Sequence, residues 1–151
     1  MRALIQRVKK SSVRIDQQTY SSIGHGLLIL LGVRNGDTQE DAAAVAEKCA
    51  ALRIFDDPEG KMNLSVRDVS GEVMVVSQFT LYGDTRRGNR PSFTESAPPA
   101  FAESLYEHFI GEMKRLLGVP NVRSGVFRAH MEVELVNDGP VTVVVESKER
   151  N

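Results

Sequence analysis

The chain has 151 residues, with 19 basic and 20 acidic side chains and a formal net charge of −1 at pH 7. This length favours a single domain, residues 1–151, whose core can fold without disulfides or metals. The near-neutral charge argues against a broad cationic surface for nucleic acid and leaves only a local patch open. Cys49 is the only cysteine. An internal disulfide is therefore excluded, as is a zinc site with two or more cysteines.

The first ten residues, MRALIQRVKK, lack the long apolar core of a signal peptide. The longest apolar run, residues 27–31, is far shorter than the ~20 residues that cross a bilayer. We therefore expect a cytoplasmic protein with no membrane partner.

The first third of the chain predicts three strands, over residues 2–8, 11–15 and 26–33. A helix is predicted over residues 38–52, because Thr38 and Asp41 form a capping-box-like pair and the apolar positions fall on one face. Cys49 lies on this apolar face. We expect it to be a small core residue and not a nucleophile.

The middle of the chain predicts one long strand, a polar loop and a second helix. Residues 72–82 have the apolar pattern of a central strand, and residues 84–93 form the loop. The second helix is predicted over residues 98–117, with Ser96 as its cap, prolines in its first turn and Gly118 just past its end.

The last third predicts two strands, over residues 131–137 and 141–146, separated by Asp138-Gly139-Pro140. Strands dominate the whole chain. The expected fold class is therefore α+β, with a largely antiparallel, barrel-like sheet and two main helices.

Ser77, Gln78, Phe79 and Thr80 bring two hydroxyls and an amide to the end of an apolar strand. Such a cluster can line a pocket, and N–H groups at a strand end can stabilise an oxyanion. The alternative is that these side chains bond locally within a sheet, where threonine is common.

A serine or threonine nucleophile needs a base, and the candidates are His25, His108 and His130. None lies in a nucleophile motif or in an HxH or HExxH metal pair. Each is more typical of a surface or packed residue. We expect no metal and no cofactor.

Two further segments carry potential binding groups. Arg86, Arg87 and Arg90 lie in the polar loop, where arginine forks suit phosphates, although a solvated loop is the simpler interpretation. Gly139-Pro140 is typical of a tight turn, and the sequence does not show whether its peptide bond is cis.

Together these segments resemble the D-aminoacyl-tRNA deacylases. The matching stretches are SQFTLYGDTRRGNRPSFTESAPPAF at residues 77–101 and LVNDGPVT at residues 135–142, joined by MRALIQRV, Phe55 and KMNLS. The resemblance spans almost the whole chain. It implies an ester hydrolase that removes D-amino acids, and mischarged glycine, from the 3′ end of tRNA.

The resemblance also implies how the parts work. The protein would be a homodimer in which Gly139 and Pro140, joined by a cis bond, enter the partner's site and exclude L-amino acids. The catalytic segment from Ser77 to Thr80 would receive the terminal adenosine, whose 2′-OH helps activate water. Aminoacylated tRNA is then the partner, with no DNA, and Arg86, Arg87 and Arg90 meet its phosphates.

Arg128 and His130 depart from the family pattern, which has a small residue at the first position. They put substrate preference in doubt and leave the reaction class unchanged. Two other functions stay open at this point. One is a non-catalytic module that binds the tRNA 3′ end, and the other is a conventional esterase that acylates Thr80 or Ser77.

Overall fold

The computed structural model describes residues 1–149. Its elements in chain order are β1 Arg2–Ile15, β2 Gln18–Ile23, β3 Gly26–Gly32, α1 Gln39–Ala51, β4 Phe55–Asp56, β5 Met62–Leu64, β6 Glu72–Ser77, α2 Pro99–Leu117, β7 Val122–Ser124 and β8 Glu132–Glu146. Short 3-10 turns span Phe79–Tyr82 and Val119–Asn121. The α+β class with two helices is confirmed.

One strand, β1, organises the sheet. Its first half pairs antiparallel with β3 and its second half with β2, while β8 pairs along its other edge. The predicted break between residues 8 and 11 is wrong, because pairing with β8 continues across it with shifts of register. Long-range pairing overrides the polar interruption. The sheet curls into a nearly closed barrel.

The sheet is mixed. β3 pairs parallel with β6, and β6 pairs parallel with β7. Gly26 permits the close approach of β3 and β6, because a Cβ there would lie 1.8 Å from the Glu72 carbonyl oxygen. The parallel pair places the C-terminal ends of β3 and β6 at the same edge of the sheet.

The two helices pack against each other and cover the main core. The Thr38–Asp41 capping box at the start of α1 is confirmed. Cys49 is buried, and burial raises the pKa of its thiol to about 12, as expected of a core residue and not of a nucleophile. Within residues 1–149, no helix is long and apolar enough to cross a membrane.

The second helix starts differently from the prediction. α2 begins at Pro99, its N-cap residue is Pro98, and no side chain caps it. The Ser96 hydroxyl instead donates to the Phe79 carbonyl at 3.1 Å. Gly118 ends the helix with a positive φ of 91°, as predicted.

The predicted strand over residues 72–82 is also wrong at its C-terminal end. β6 stops at Ser77, and the chain turns into the 3-10 segment Phe79–Tyr82. Arg2 holds this turn: its guanidinium donates to the Leu81 carbonyl at 2.6 Å and lies 4.8 Å from the Tyr82 ring centroid. The turn therefore depends on a residue distant in sequence.

Candidate active site

A cavity of about 790 Å³ opens at the edge where β3 and β6 end. We call it the strand-end pocket. Four separate stretches of chain form its walls: the end of β3 with Asn35, the end of β6, the start of α2 with the residues before it, and the approach to β8. Its lining residues are Leu31, Val33, Asn35, Val76, Ser77, Gln78, Phe79, Phe93, Ser96, Ala97, Pro98, Pro99, Ala102, Phe127, Arg128, Ala129, His130, Met131 and Val133.

Three of the four predicted catalytic residues line this pocket, namely Ser77, Gln78 and Phe79. Thr80 is exposed and does not line it. Its hydroxyl accepts a hydrogen bond from the Gln78 side-chain amide. Within residues 1–149 no hydrogen bond joins Thr80 to a histidine, so the structure brings no base to its hydroxyl.

Two main-chain N–H groups in the turn that follows β6 have no acceptor within residues 1–149. The Gln78 N–H bonds to the Leu31 carbonyl at 2.8 Å and extends the sheet by one residue. The next two N–H groups, those of Phe79 and Thr80, have no acceptor among residues 1–149. A pair of N–H donors beside a pocket is the arrangement that stabilises a developing oxyanion.

The pocket mouth carries exposed aromatic surface. Phe79 is 57% exposed, and its ring packs edge-to-face on Phe93 with centroids 5.1 Å apart. Ala97 and Asn35 fasten the segment before α2 to the end of β3, since Ala97 N bonds Val33 O at 3.0 Å and Asn35 Nδ2 bonds Thr94 O at 3.1 Å. This segment therefore forms a fixed wall.

The predicted phosphate-binding arginines lie on the loop over residues 84–93, which we call the arginine loop, and none of them lines the pocket. Arg86 donates to both carboxylate oxygens of Asp84, at 2.9 and 2.7 Å, and so holds the pKa of Asp84 at about 2. Arg87 and Arg90 are exposed and have no hydrogen bond or ion pair within the described chain.

Gly139 and Pro140, joined by a cis peptide bond, form the tip of a bulge in β8. Gln6 pairs with Thr142 and Val8 with Asn137, so residues 138–141 bulge out opposite Arg7 alone. We call residues 138–141 the Gly-Pro loop. The predicted strand break here is wrong, because β8 continues on both sides.

Two side chains fix this loop from beneath. Arg7 is buried and donates to the Asp138 carbonyl at 2.8 Å and to the Ile54 carbonyl at 2.7 Å. Asn137 accepts the Val141 N–H at 2.7 Å. Gly139 has a φ of +151°, and a Cβ there would lie 2.8 Å from the Val141 nitrogen. Only glycine fits this position without strain.

Gly139 and Pro140 at the tip of the loop are exposed, whereas Val141 is buried, and no residue of the loop lines the pocket of its own chain. His25 lies beside it, with its Nε2 3.9 Å from an Asp138 oxygen and its ring edge-on to Phe55. His130, in contrast, lines the pocket, as does Arg128. Within residues 1–149, no cluster of three or more His, Cys, Asp or Glu side chains could hold a metal ion.

Sequence reasoning from the residues alone missed several pocket residues, including Asn35, Ser96 and Phe127. Ser96 was assigned to helix capping, although it stands inside the stretch that carries the family resemblance. Asn35 lies within a sequence typical of a turn, residues 34–37, and a turn signal does not indicate a binding role. Phe127 lies far along the chain, and only folding places it here.

Comparison with known proteins covers nearly the whole chain. The family model described as D-Tyr-tRNA(Tyr) deacylase matches residues 4–146. A D-aminoacyl-tRNA deacylase of Thermotoga petrophila is 56% identical over 147 residues, which are 97% of this chain and 97% of that protein. One from Carboxydothermus hydrogenoformans is 54% identical over 146 residues, 97% and 99% of the two chains.

Two solved structures share the fold. The c-Myc DNA unwinding element binding protein superposes with a TM-score of 0.94 at 37% identity, covering 99% of this chain and 100% of that one. A probable eukaryotic D-amino acid tRNA deacylase gives 0.84 at 17% identity, covering 96% and 98%, and shows the fold alone.

The fold and these matches define the class of protein, an ester hydrolase that acts on charged tRNA. More particularly, the chain belongs to the D-aminoacyl-tRNA deacylase family, and its reaction is hydrolysis of D-aminoacyl-tRNA. The non-catalytic module is therefore not favoured.

Proposed function

We propose that the strand-end pocket receives the terminal adenosine and the scissile ester, with Ser77, Gln78, Phe79 and Thr80 as the catalytic segment. The observation that carries this proposal is the pair of unpaired N–H groups at Phe79 and Thr80, beside a cavity of about 790 Å³. That volume lies within the range of small-molecule sites.

In the proposed reaction, the 2′-OH of the terminal adenosine orients and activates a water molecule. Water adds to the ester carbonyl, and the N–H groups of Phe79 and Thr80 stabilise the oxyanion. The ester C–O bond then breaks, the 3′ oxygen takes a proton, and the D-amino acid and free tRNA leave. Thr80 forms no covalent bond, because its hydroxyl is held by Gln78 and has no base beside it.

We propose that a second copy of the chain completes the site. Its Gly139 and Pro140 form a main-chain wall near the α-carbon, which excludes L side chains and admits D-amino acids and glycine. Support comes from the Gly-Pro loop, whose tip residues Gly139 and Pro140 are exposed, which is fixed by Arg7 and which does not line its own pocket. Val136 and Val144, on β8, are 39% and 54% exposed and offer apolar surface for such contact.

The tRNA body would meet the arginine loop. Arg87 and Arg90 are unpaired and would bind phosphates, while Arg86 contributes from its pairing with Asp84. We further propose that residues 1–151 form one domain that acts in the cytoplasm, where charged tRNA is present, with no role for DNA.

The test is to follow loss of the ester from matched D- and L-tyrosyl-tRNA, with and without a chelator. We expect rapid loss of the D ester alone, unaffected by the chelator. Ala129→Trp, which adds an indole ring at a pocket-lining position, is the matched control for spontaneous hydrolysis. Equal loss of both esters would remove the chiral wall from the proposal, and tRNA binding without loss of either would restore the binding-module alternative.

A further inference from the structure

Arg128 and His130 are the only ionisable side chains that line the strand-end pocket in residues 1–149. Both are exposed, so they lie at its mouth. Neither has a hydrogen bond or ion pair within the described chain, and no carboxylate lines the pocket to balance them. The mouth therefore carries uncompensated cationic and donor groups.

The backbone conformation at Arg128 is one that non-glycine residues rarely adopt. Its φ is +67°, in the left-handed region, within a turn closed by the Ala129 N–H on the Val126 carbonyl. Glycine adopts this conformation without steric strain, whereas in an arginine the Cβ strains the backbone there. The turn itself gives no reason for a long cationic side chain at this position.

We propose that Arg128 and His130 form an anion subsite at the pocket mouth, which binds a phosphodiester of the tRNA acceptor end. The inference rests on the proposed function, in which the pocket receives the terminal adenosine and its ester, and the rest of the nucleotide chain leads out through the mouth. The first charged groups that such a chain brings to the mouth are its phosphates. An arginine fork suits a phosphate, and a histidine ring N–H adds a second donor.

The arginine loop provides the contrast. Arg86 donates two hydrogen bonds to the Asp84 carboxylate, and none of the loop arginines lines the pocket. Arg128 is unpaired and does line it. It is therefore expected to set the register of the acceptor end, while the loop arginines contact the tRNA body.

The test compares Arg128→Gly with the wild type in kcat/KM for D-tyrosyl-tRNA over a range of salt. The glycine variant removes the cation and relieves the left-handed backbone, so its Tm should be unchanged or higher. We expect a loss of roughly tenfold at low salt. The log–log salt slope should become shallower by about 0.7, the value for one contact to a single strand.

Matched variants separate position from net charge. Arg128→Lys keeps the charge and should keep the salt slope. Lys48→Gln removes an exposed charge on α1 and should leave both quantities unchanged. His130→Asn should weaken kcat/KM less than Arg128→Gly does. A Lys48→Gln effect equal to that of Arg128→Gly would overturn the subsite.

A second arm identifies the source of the anion, since a carboxylate of an acidic D-amino acid has related chemistry. A phosphate subsite predicts equal losses for D-tyrosyl- and D-aspartyl-tRNA in Arg128→Gly. Loss confined to the D-aspartyl ester would overturn the phosphate assignment.

A third arm separates the subsite from the reaction. Fluorescence anisotropy measures binding of a labelled, uncharged acceptor-stem minihelix, which requires no turnover. Weaker binding by Arg128→Gly, with the shallower slope, supports the subsite even where the proposed mechanism fails. Unchanged binding and slope would overturn it, even where the wild type deacylates D-tyrosyl-tRNA.

Discussion

The strand-end pocket and the Gly-Pro loop differ in shape and in how the chain fixes them. The pocket is concave and collects side chains from four segments of the chain, with the main-chain donors of Phe79 and Thr80 beside it. The loop is a convex bulge on one strand, held from below by Arg7 and Asn137. The pocket supplies groups that can meet a reacting ester, whereas the loop offers little except a fixed main-chain surface.

This difference suggests a division of labour. Stabilising an oxyanion requires donors that converge on one atom, and a pocket provides them. Excluding one enantiomer requires a surface that does not yield, and a pinned loop provides that. Since the two regions do not meet within one chain, the proposed enzyme requires two chains. The predictions below test each half of this comparison.

The largest expected effect concerns the pocket and its substrate. D-tyrosyl-tRNA that ends in 2′-deoxyadenosine should react about 10²–10⁴-fold more slowly, the range for loss of a general acid–base group. Single-turnover rates with saturating enzyme measure this directly. Thr80→Ala should cost far less, because its hydroxyl has no base. Full activity on the deoxy substrate would contradict the RNA-assisted mechanism.

The next effect concerns the loop. Gly139→Ala should lower kcat/KM for D-tyrosyl-tRNA by about 10²-fold, because the added Cβ lies 2.8 Å from Val141 N and displaces the wall. Thermal unfolding checks that the variant is folded. An unchanged kcat/KM in the folded variant would remove the loop from the site.

Mixing variants then tests whether the site is shared. Ala129→Trp is designed to obstruct the pocket, and Gly139→Ala is designed to displace the main-chain wall of the Gly-Pro loop. Each homodimer should therefore have little activity. After joint refolding with random pairing, mixed dimers hold one intact site, and about a quarter of wild-type activity should return. If no activity returns while mixed dimers form, pocket and loop do not act across subunits.

A smaller effect tests how the loop is fixed. Arg7→Met removes two hydrogen bonds from a charged donor and leaves the buried Ile54 carbonyl without its partner. The free energy of unfolding should fall by about 2–4 kcal/mol, as measured in urea, and the D-over-L rate ratio should fall with it. The exposed Arg14 of the same strand is the control, since Arg14→Met should change stability by less than about 0.5 kcal/mol. Equal effects of the two substitutions would contradict the pinning role.

Short sequence patterns correctly predicted those features of the fold that depend on contacts between residues close together in the chain. The Thr38–Asp41 box starts α1, Gly118 ends α2, and the apolar run of β3 is buried, each as expected. These features depend on residues a few positions apart. The family resemblance indicated residues 77–80 as the catalytic segment, and Ser77, Gln78 and Phe79 of this segment line the pocket.

The sequence did not reveal features that distant residues decide. β6 ends at Ser77, and Arg2, from the other end of the chain, donates to the Leu81 carbonyl in the turn that follows. β1 is continuous because β8 pairs across its polar centre. Ser96 does not cap α2, because Pro98 occupies the N-cap position, and the Ser96 hydroxyl donates instead to the Phe79 carbonyl. No window of sequence contains both partners of these contacts.

The smallest effect concerns the arginine loop. Asp84→Asn should release Arg86 while the Arg86 N–H keeps an oxygen acceptor at this side chain. The released Arg86 guanidinium should raise the affinity for tRNA by at most about threefold and steepen the log–log salt slope by about 0.7. Fluorescence anisotropy with labelled tRNA measures both, with Glu59→Gln as a control of equal charge change.

The pKa of Asp84 is lowered to about 2. The stabilising contribution of the Asp84–Arg86 ion pair is therefore complete above 3.8, the ordinary pKa of an aspartate, and disappears as the pH falls through about 2. The difference between Asp84→Asn and wild type should therefore be constant from pH 6 to 8, and a difference that varied over this window would assign the effect to another group.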